Sequence, residues 1–215
     1  MKFLITIPLI LLVISCSETK PIEPSQASTP DDLIEHTSEF KPQVIEVTDG
    51  VHVAIGYALA NAMLVEGENS NIIIDTTGTI ETAREVKALF DTINSNPIEA
   101  IIYTHNHGDH TYGASVFAED SNPEIYAHDS TEEYLSRVIG IIRPIISTRS
   151  NRMFGNSLPK SEVENNGIGP FLEIGRDGRQ PGLLYPTKTF KDKLEFVVGG
   201  IKAVSYTHLT LPTKA

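Results

Sequence analysis

Ile98-Glu99-Ala100-Ile101-Ile102-Tyr103-Thr104-His105-Asn106-His107-Gly108-Asp109-His110 is the stretch on which the reading of this chain turns. Its first half is an aliphatic run, which predicts a strand at 98–103 covered on both faces. Its second half crowds three histidines and an aspartate into six residues at the strand's carboxyl end. In open α/β sheets that end is where ligands bind. Alternate side chains of an extended segment point the same way, so His105 and His107 can hold one ion together. Gly108 permits a sharp turn, after which Asp109 and His110 can face a second ion. Neutral imidazole and carboxylate suit zinc best, then iron or manganese. A surface loop that is His-rich by chance is the competing reading. Against it, the other four histidines, His36, His52, His128 and His208, are scattered, and an aliphatic strand leads straight into the cluster.

Upstream, Val44-Ile45-Glu46-Val47, Asp49-Gly50 and Val51-His52-Val53-Ala54-Ile55 read as a hairpin with an Asp-Gly turn. Strands follow at 62–66 and 71–75, and a helix at 79–94 carries apolar residues three or four apart. Downstream, a short strand is expected at 124–127. Ser130 with Glu133 reads as a capping box opening a second helix, and Pro144 stops or kinks it. The Ile-rich stretch 138–146 reads as core, with the lining of an apolar groove as the rival. Residues 151–182 form a long Gly-, Pro- and Asn-rich connection of the kind that carries function. Antiparallel strands followed by strand–helix alternation predict a layered α/β domain.

The chain has 215 residues, 40% of them hydrophobic and 21% charged, so one domain with a buried core is expected. Its net charge of −11 repels phosphate backbones and argues against a nucleic-acid partner. One cysteine excludes an internal disulfide framework and a thiolate zinc cluster. That cysteine, Cys16, closes an apolar run at 3–14. Leu12-Val13-Ile14-Ser15-Cys16 resembles a bacterial lipobox, so residues 1–15 are read as a lipoprotein signal peptide and Cys16 as the lipidation site. The implied location is the bacterial cell envelope, lipid-anchored on its periplasmic or outer-membrane side. Residues 16–41 read as a flexible tether and residues 42–203 as the domain. Residues 204–215 read as a non-native tail, because Val204 and its successors through Thr213 resemble a translated sequencing adapter. On that reading the hairpin opened at 194–201 is abandoned after residue 203.

Thr104-His105-Asn106-His107-Gly108-Asp109-His110 after a buried strand resembles the hallmark of the metallo-β-lactamase superfamily, and the strand ending in Asp75 resembles its second hallmark. Gly56 to Gly67, Arg152-Met153-Phe154-Gly155-Asn156-Ser157-Leu158-Pro159 and Asn166-Gly167-Ile168-Gly169 are similar to the linear alkylsulfatase group. The resemblance implies an αββα sandwich, truncated here after its N-terminal part. It also implies hydrolysis of long-chain alkyl sulfates at a two-zinc centre. By position, His105 and His107 would bind the first zinc and Asp109 and His110 the second. Asp109 could also accept a proton, and Asp75 would steady the loop. The remaining ligands would lie beyond residue 203, with the segments that allow a homodimer, so the 215-residue chain is expected to be inactive.

Two departures stand out. Phe154 replaces a usual tyrosine, and Thr111-Tyr112-Gly113 stands where Phe-Gly-Gly is usual. Arg149 and Arg152 could meet an anionic sulfate. The rival readings are another superfamily hydrolase, acting on a lactam, thioester or lactone, and a non-catalytic metal-binding lipoprotein.

Overall fold

Short strands with alternating or continuous aliphatic character build the core of the chain. A computed structural model describes residues 30–159 and 163–207. Seven strands pair in sequence order: β1 (Gln43–Thr48), β2 (Val51–Ile55), β3 (Ala62–Val65), β4 (Asn71–Ile74), β5 (Ile98–Ile102), β6 (Glu124–His128) and β7 (Lys188–Phe190). The first four run antiparallel and the last four parallel, with β4 shared between the two halves. Gly50, at φ 68°, makes the first turn as the Asp-Gly pair predicts. In β4, Asn71, Ile72 and Ile73 are all buried, because both faces of this central strand are covered.

Alternation along the strands sorts the two faces. Leu64, Ile73 and Ile101 join Ala83, Val86 and Phe90 of helix α2 (Ile80–Ile93) in the main core. Thr79 caps α2, its side chain accepting from the Thr82 amide at 3.3 Å. Val65, Ile72, Ile74 and Ile102 face the other way, toward Ile201 and Ala203 of a second sheet made of β8 (Lys193–Val198) and β9 (Ile201–Tyr206). Phe196 stacks on Tyr126 at 3.9 Å between ring centres, and the Glu68 amide donates to Gly199 O at 2.7 Å. The layers are therefore helix, sheet and second sheet, as the αββα expectation requires of its N-terminal part.

Two expectations need correction, and two further segments take on regular structure where they are described. The tether is helical where described: α1 (Pro30–Thr37) carries Asp31 and Asp32 in its first turn and His36 in its last, which suits the helix dipole. It is tied down by Asn165 Nδ2 donating to Thr37 Oγ1 at 2.9 Å. The β8–β9 hairpin continues past residue 203, since Ala203 and Ser205 keep pointing in while Val204 and Tyr206 point out. The capping box does not form, because Ser130 lies inside α5 (Ser130–Ser136) and its hydroxyl pairs with His128 Nδ1 at 2.7 Å. Ile141 and Ile145 are 77% and 62% exposed, not core. A π-helical turn (Arg137–Ile141) rotates the apolar face before Pro144 starts α6 (Arg143–Met153). The signal segment, Cys16, His208 and the rest of the adapter-like string lie outside the described residues. Among the described residues no helix is long and apolar enough to cross a membrane.

At the amino end of β5 a polar clamp ties three elements. His52 Nε2 meets Glu66 Oε1 at 2.6 Å, and Asn94 Nδ2 donates to Glu66 Oε2 at 2.7 Å. These bonds hold the Glu66 carboxyl below its ordinary value, Asn94 contributing most. Its stabilisation is therefore complete above the ordinary carboxyl value near 4.5 and is lost as pH falls through the lower folded-state value. Urea unfolding across that acid window should show a pH slope that shrinks in Glu66→Gln. At Gly113, an added Cβ would lie 1.9 Å from Thr76 O and 2.7 Å from Ala83 Cβ. Gly113→Ala should therefore cost about 3 kcal/mol in the same assay, whereas Gly140→Ala, with open space around it, should change stability by less than about 1 kcal/mol.

Candidate metal centre

Parallel pairing of β4 and β5 brings the carboxyl ends of both strands side by side. Asp75 follows β4 and is 2% exposed. Its Oδ1 accepts from the Thr104 amide at 2.9 Å, and its Oδ2 accepts from Thr104 Oγ1 and His110 Nδ1, both at 2.7 Å. The backbone adds Thr76 N to His110 O at 2.7 Å and Gly113 N to Thr77 O at 3.2 Å. Asp75 and Thr77 sit at φ 56° and 65°, a left-handed backbone that costs non-glycine residues energy. The surrounding bonds hold them there. The strained turn aims one buried carboxylate at the loop 104–110.

The hydrogen bonds also settle which ring nitrogens are free. His110 donates from Nδ1 to Asp75, which leaves Nε2 for another partner. Thr104 has one hydroxyl proton and gives it to Asp75, so its oxygen accepts from His105 Nδ1 at 3.0 Å, and His105 Nε2 is freed in turn. The His105 ring centre lies 4.5 Å from that of His107 and 4.1 Å from that of His110. Burial, then the neighbouring charges of His110 and His107, lowers the His105 pKa and favours the neutral ring that a metal needs. At His110 burial opposes the cation, but the bond and charge of Asp75 and the charge of Asp109 prevail and raise its pKa.

These residues fit a metal ion in donor chemistry. Two ligands at about 2.0–2.2 Å from a tetrahedral zinc stand roughly 3.4 Å apart, and Asp109 Oδ2 lies 3.5 Å from His110 Nε2. Among the described residues, however, no three His, Cys, Asp or Glu side chains converge as a closed site. The His105 ring lies between those of His110 and His107, nearer to His110, and Asp109 lies against His110. His107 is exposed and the other three are half-buried.

A second buried carboxylate braces this region from outside the motif. Glu173 is 2% exposed and bonds Thr82 Oγ1 and Arg179 Nη1, the latter at 3.1 Å. Burial raises its pKa against the effect of Thr82 and Arg179. Its Oε1 faces Gly78 without a well-formed bond, and a Cβ on Gly78 would stand 3.3 Å from Asp109 Cα. Sequence reading missed Glu173; only its place in the long connection marked the segment. Arg149 and Arg152 are exposed on α6. Burial raises the Tyr112 pKa, and the charge of Arg143, at the start of that helix, acts against it.

Residues 56–213 match the metallo-beta-lactamase superfamily. The chain is 31% identical over 153 residues to a linear primary-alkylsulfatase of Pseudomonas sp. (strain ATCC 19151), covering 68% of this chain and 28% of that protein. It is 30% identical over 175 residues to a linear primary-alkylsulfatase of Pseudomonas sp., covering 79% and 25%. Its fold is similar to that of the inverting sec-alkylsulfatase Pisa1 from Pseudomonas sp., with a TM-score of 0.68 at 22% identity, covering 76% of this chain and 27% of that one. The chain thus spans about a quarter of the length of these relatives.

Asp75 acts on the loop through oriented hydrogen bonds, so Asp75→Asn keeps the volume and removes the charge. Zinc affinity of the purified chain, measured by competition with a chromogenic chelator, should fall about 10- to 100-fold.

Proposed function

The chain belongs to the metallo-beta-lactamase superfamily, and on that premise we propose that it carries the metal loop of a zinc-dependent hydrolase of sulfate esters. The observation that carries this reading is the cluster of three imidazoles and Asp109 at the end of β5, oriented by buried Asp75. The alkylsulfatase relatives favour an alkyl sulfate as the substrate.

His105 and His107 would hold one zinc, and Asp109 and His110 a second. Zinc held there supplies Lewis acidity and brings the pKa of a bound water to about 7. Asp75 keeps the His110 ring in the tautomer whose Nε2 lone pair points away from the core. Thr104 does the same for His105 by accepting from its Nδ1. Asp109 would take up a proton from the attacking water as the ester is cleaved to an alcohol and sulfate. Anchoring through an acylated Cys16, in the cell envelope, is supported by the lipobox-like sequence.

The test is sulfate release from dodecyl sulfate by the protein expressed from its whole reading frame. Activity should vanish with a chelator, return with zinc, and fall by about a hundredfold or more in His107→Ala, since even outer partners of a metal site cost 10- to 100-fold. Hydrolysis that survives both treatments would overturn the reading. Faster turnover of a lactam, thioester or lactone would move the substrate while keeping the site.

A further inference from the structure

Between Glu133 and Glu162 the chain carries Arg137, Arg143, Arg149, Arg152 and Lys160 and not one carboxylate, although its net charge is −11. Much of that stretch is the π-helical turn and α6, and neither buries a residue. Ile142, Ile146, Ser150 and Phe154, spaced by four, are half-buried and mark the side on which the helix rests. Ile145, Arg149, Arg152 and Met153 follow at i, i+4, i+7 and i+8, which sets them along one exposed side. Ile145 and Met153 are 62% and 67% exposed, and Ile141 in the turn before them is 77% exposed. Arg137 pairs with Glu133 at 3.8 Å. Among the described residues the guanidinium groups of Arg143, Arg149 and Arg152 form no hydrogen bond or ion pair, and all three residues are exposed.

The face is fastened to the body of the domain. Arg176 Nη2 donates to Gly155 O at 2.7 Å, just past the end of α6, and the Arg176 amide donates to Glu173 O at 3.0 Å. The carboxyl end of α6 is thereby tied to the segment that braces the metal loop.

Exposed apolar side chains grouped in a patch mark an interaction surface. The charges decide the occupant. A second copy packed on the same face would set these arginines against their own equivalents, and like charges repel. An acidic protein patch would meet the arginines and leave the isoleucines without apolar cover. A bilayer with anionic headgroups offers phosphate oxygens and hydrocarbon within the length of one side chain. Arginine suits that boundary, because its stem lies along apolar surface while its planar head stays with phosphate. Isoleucine and methionine beside it reach the acyl region.

We propose that the exposed side of α6 docks on an anionic phospholipid surface through Arg149, Arg152, Ile145 and Met153, with Ile141 and Arg143 beside them. The proposal goes beyond hydrolysis and does not need the lipid anchor. Acylated Cys16 would keep the chain near a membrane, and this face would decide which side of the domain touches it.

The protein expressed from its whole reading frame, freed of residues 1–15 and carrying Cys16→Ser so that no acyl chain assists, is floated with vesicles. The vesicles are phosphatidylcholine with and without phosphatidylglycerol. The protein should float only where phosphatidylglycerol is present, and less at high salt. The double variant Arg149→Gln, Arg152→Gln should weaken binding by about tenfold or more, since each basic residue near an anionic surface contributes severalfold. Ile145→Gln with Met153→Gln should weaken it by about as much, through lost apolar burial. These side chains are exposed, so the variants keep the fold, which an unchanged urea midpoint checks. Binding that either double variant leaves unchanged, equal binding to neutral vesicles, or no binding at all overturns the proposal. So does a dimer, seen by light scattering in place of vesicle binding, that the same variants dissolve. Flotation is read without substrate, so its failure leaves the hydrolase reading standing, and failure of hydrolysis leaves the docking face standing.

Discussion

The carboxylate of Asp75 accepts three hydrogen bonds from one short loop, and the geometry of the candidate centre follows from them. A buried carboxylate without partners is expensive, so the loop 104–110 must be present and correctly folded for β4 to end as it does. In return, two of its imidazoles are fixed by hydrogen bonds that leave Nε2 free. The left-handed turn at Asp75 and Thr77 is the cost of aiming that carboxylate.

The constraint spreads outward by close packing. Thr76 bonds the His110 carbonyl, and Gly113 leaves no room for a side chain against the Thr76 carbonyl and Ala83 of α2. The start of α2 is in turn bonded through Thr82 to Glu173 and Arg179 from the long connection. The loop, the first crossover helix and the segment before β7 therefore form one mechanical unit. Because packed interiors are stiff, a substitution at Gly113 or Glu173 is felt at His110 without touching it.

Much of this was legible in the sequence because the signals were local. The aliphatic run at 98–103, the Asp-Gly turn and the spacing of the α2 apolar residues each depend on near neighbours, and each formed within a residue or so of expectation. The histidine cluster was legible for the same reason, and the structure sets its three imidazole rings and Asp109 near one another without closing a three-ligand site among the described residues. What was not legible depends on distant partners. Glu173 meets Thr82 across 91 positions, and no pattern near residue 173 announces it. The capping box failed because the His128 ring took the Ser130 hydroxyl, and the Ile-rich stretch failed because a π turn moved its face outward. Thr37 anchors α1 to Asn165 across 128 positions, which composition alone reads as a tether.

The central claim is that buried Asp75 fixes the protons of the loop and so presents free Nε2 atoms to a metal. Long-range hydrogen–nitrogen correlation spectra of the nitrogen-15 chain, at a pH of about 8.5 where imidazole is neutral, test it directly. The account predicts the Nδ1–H tautomer for His105 and His110, and zinc-induced shifts at their Nε2 atoms. An Nε2–H tautomer at His110, or zinc that leaves every loop imidazole unmoved, would contradict it.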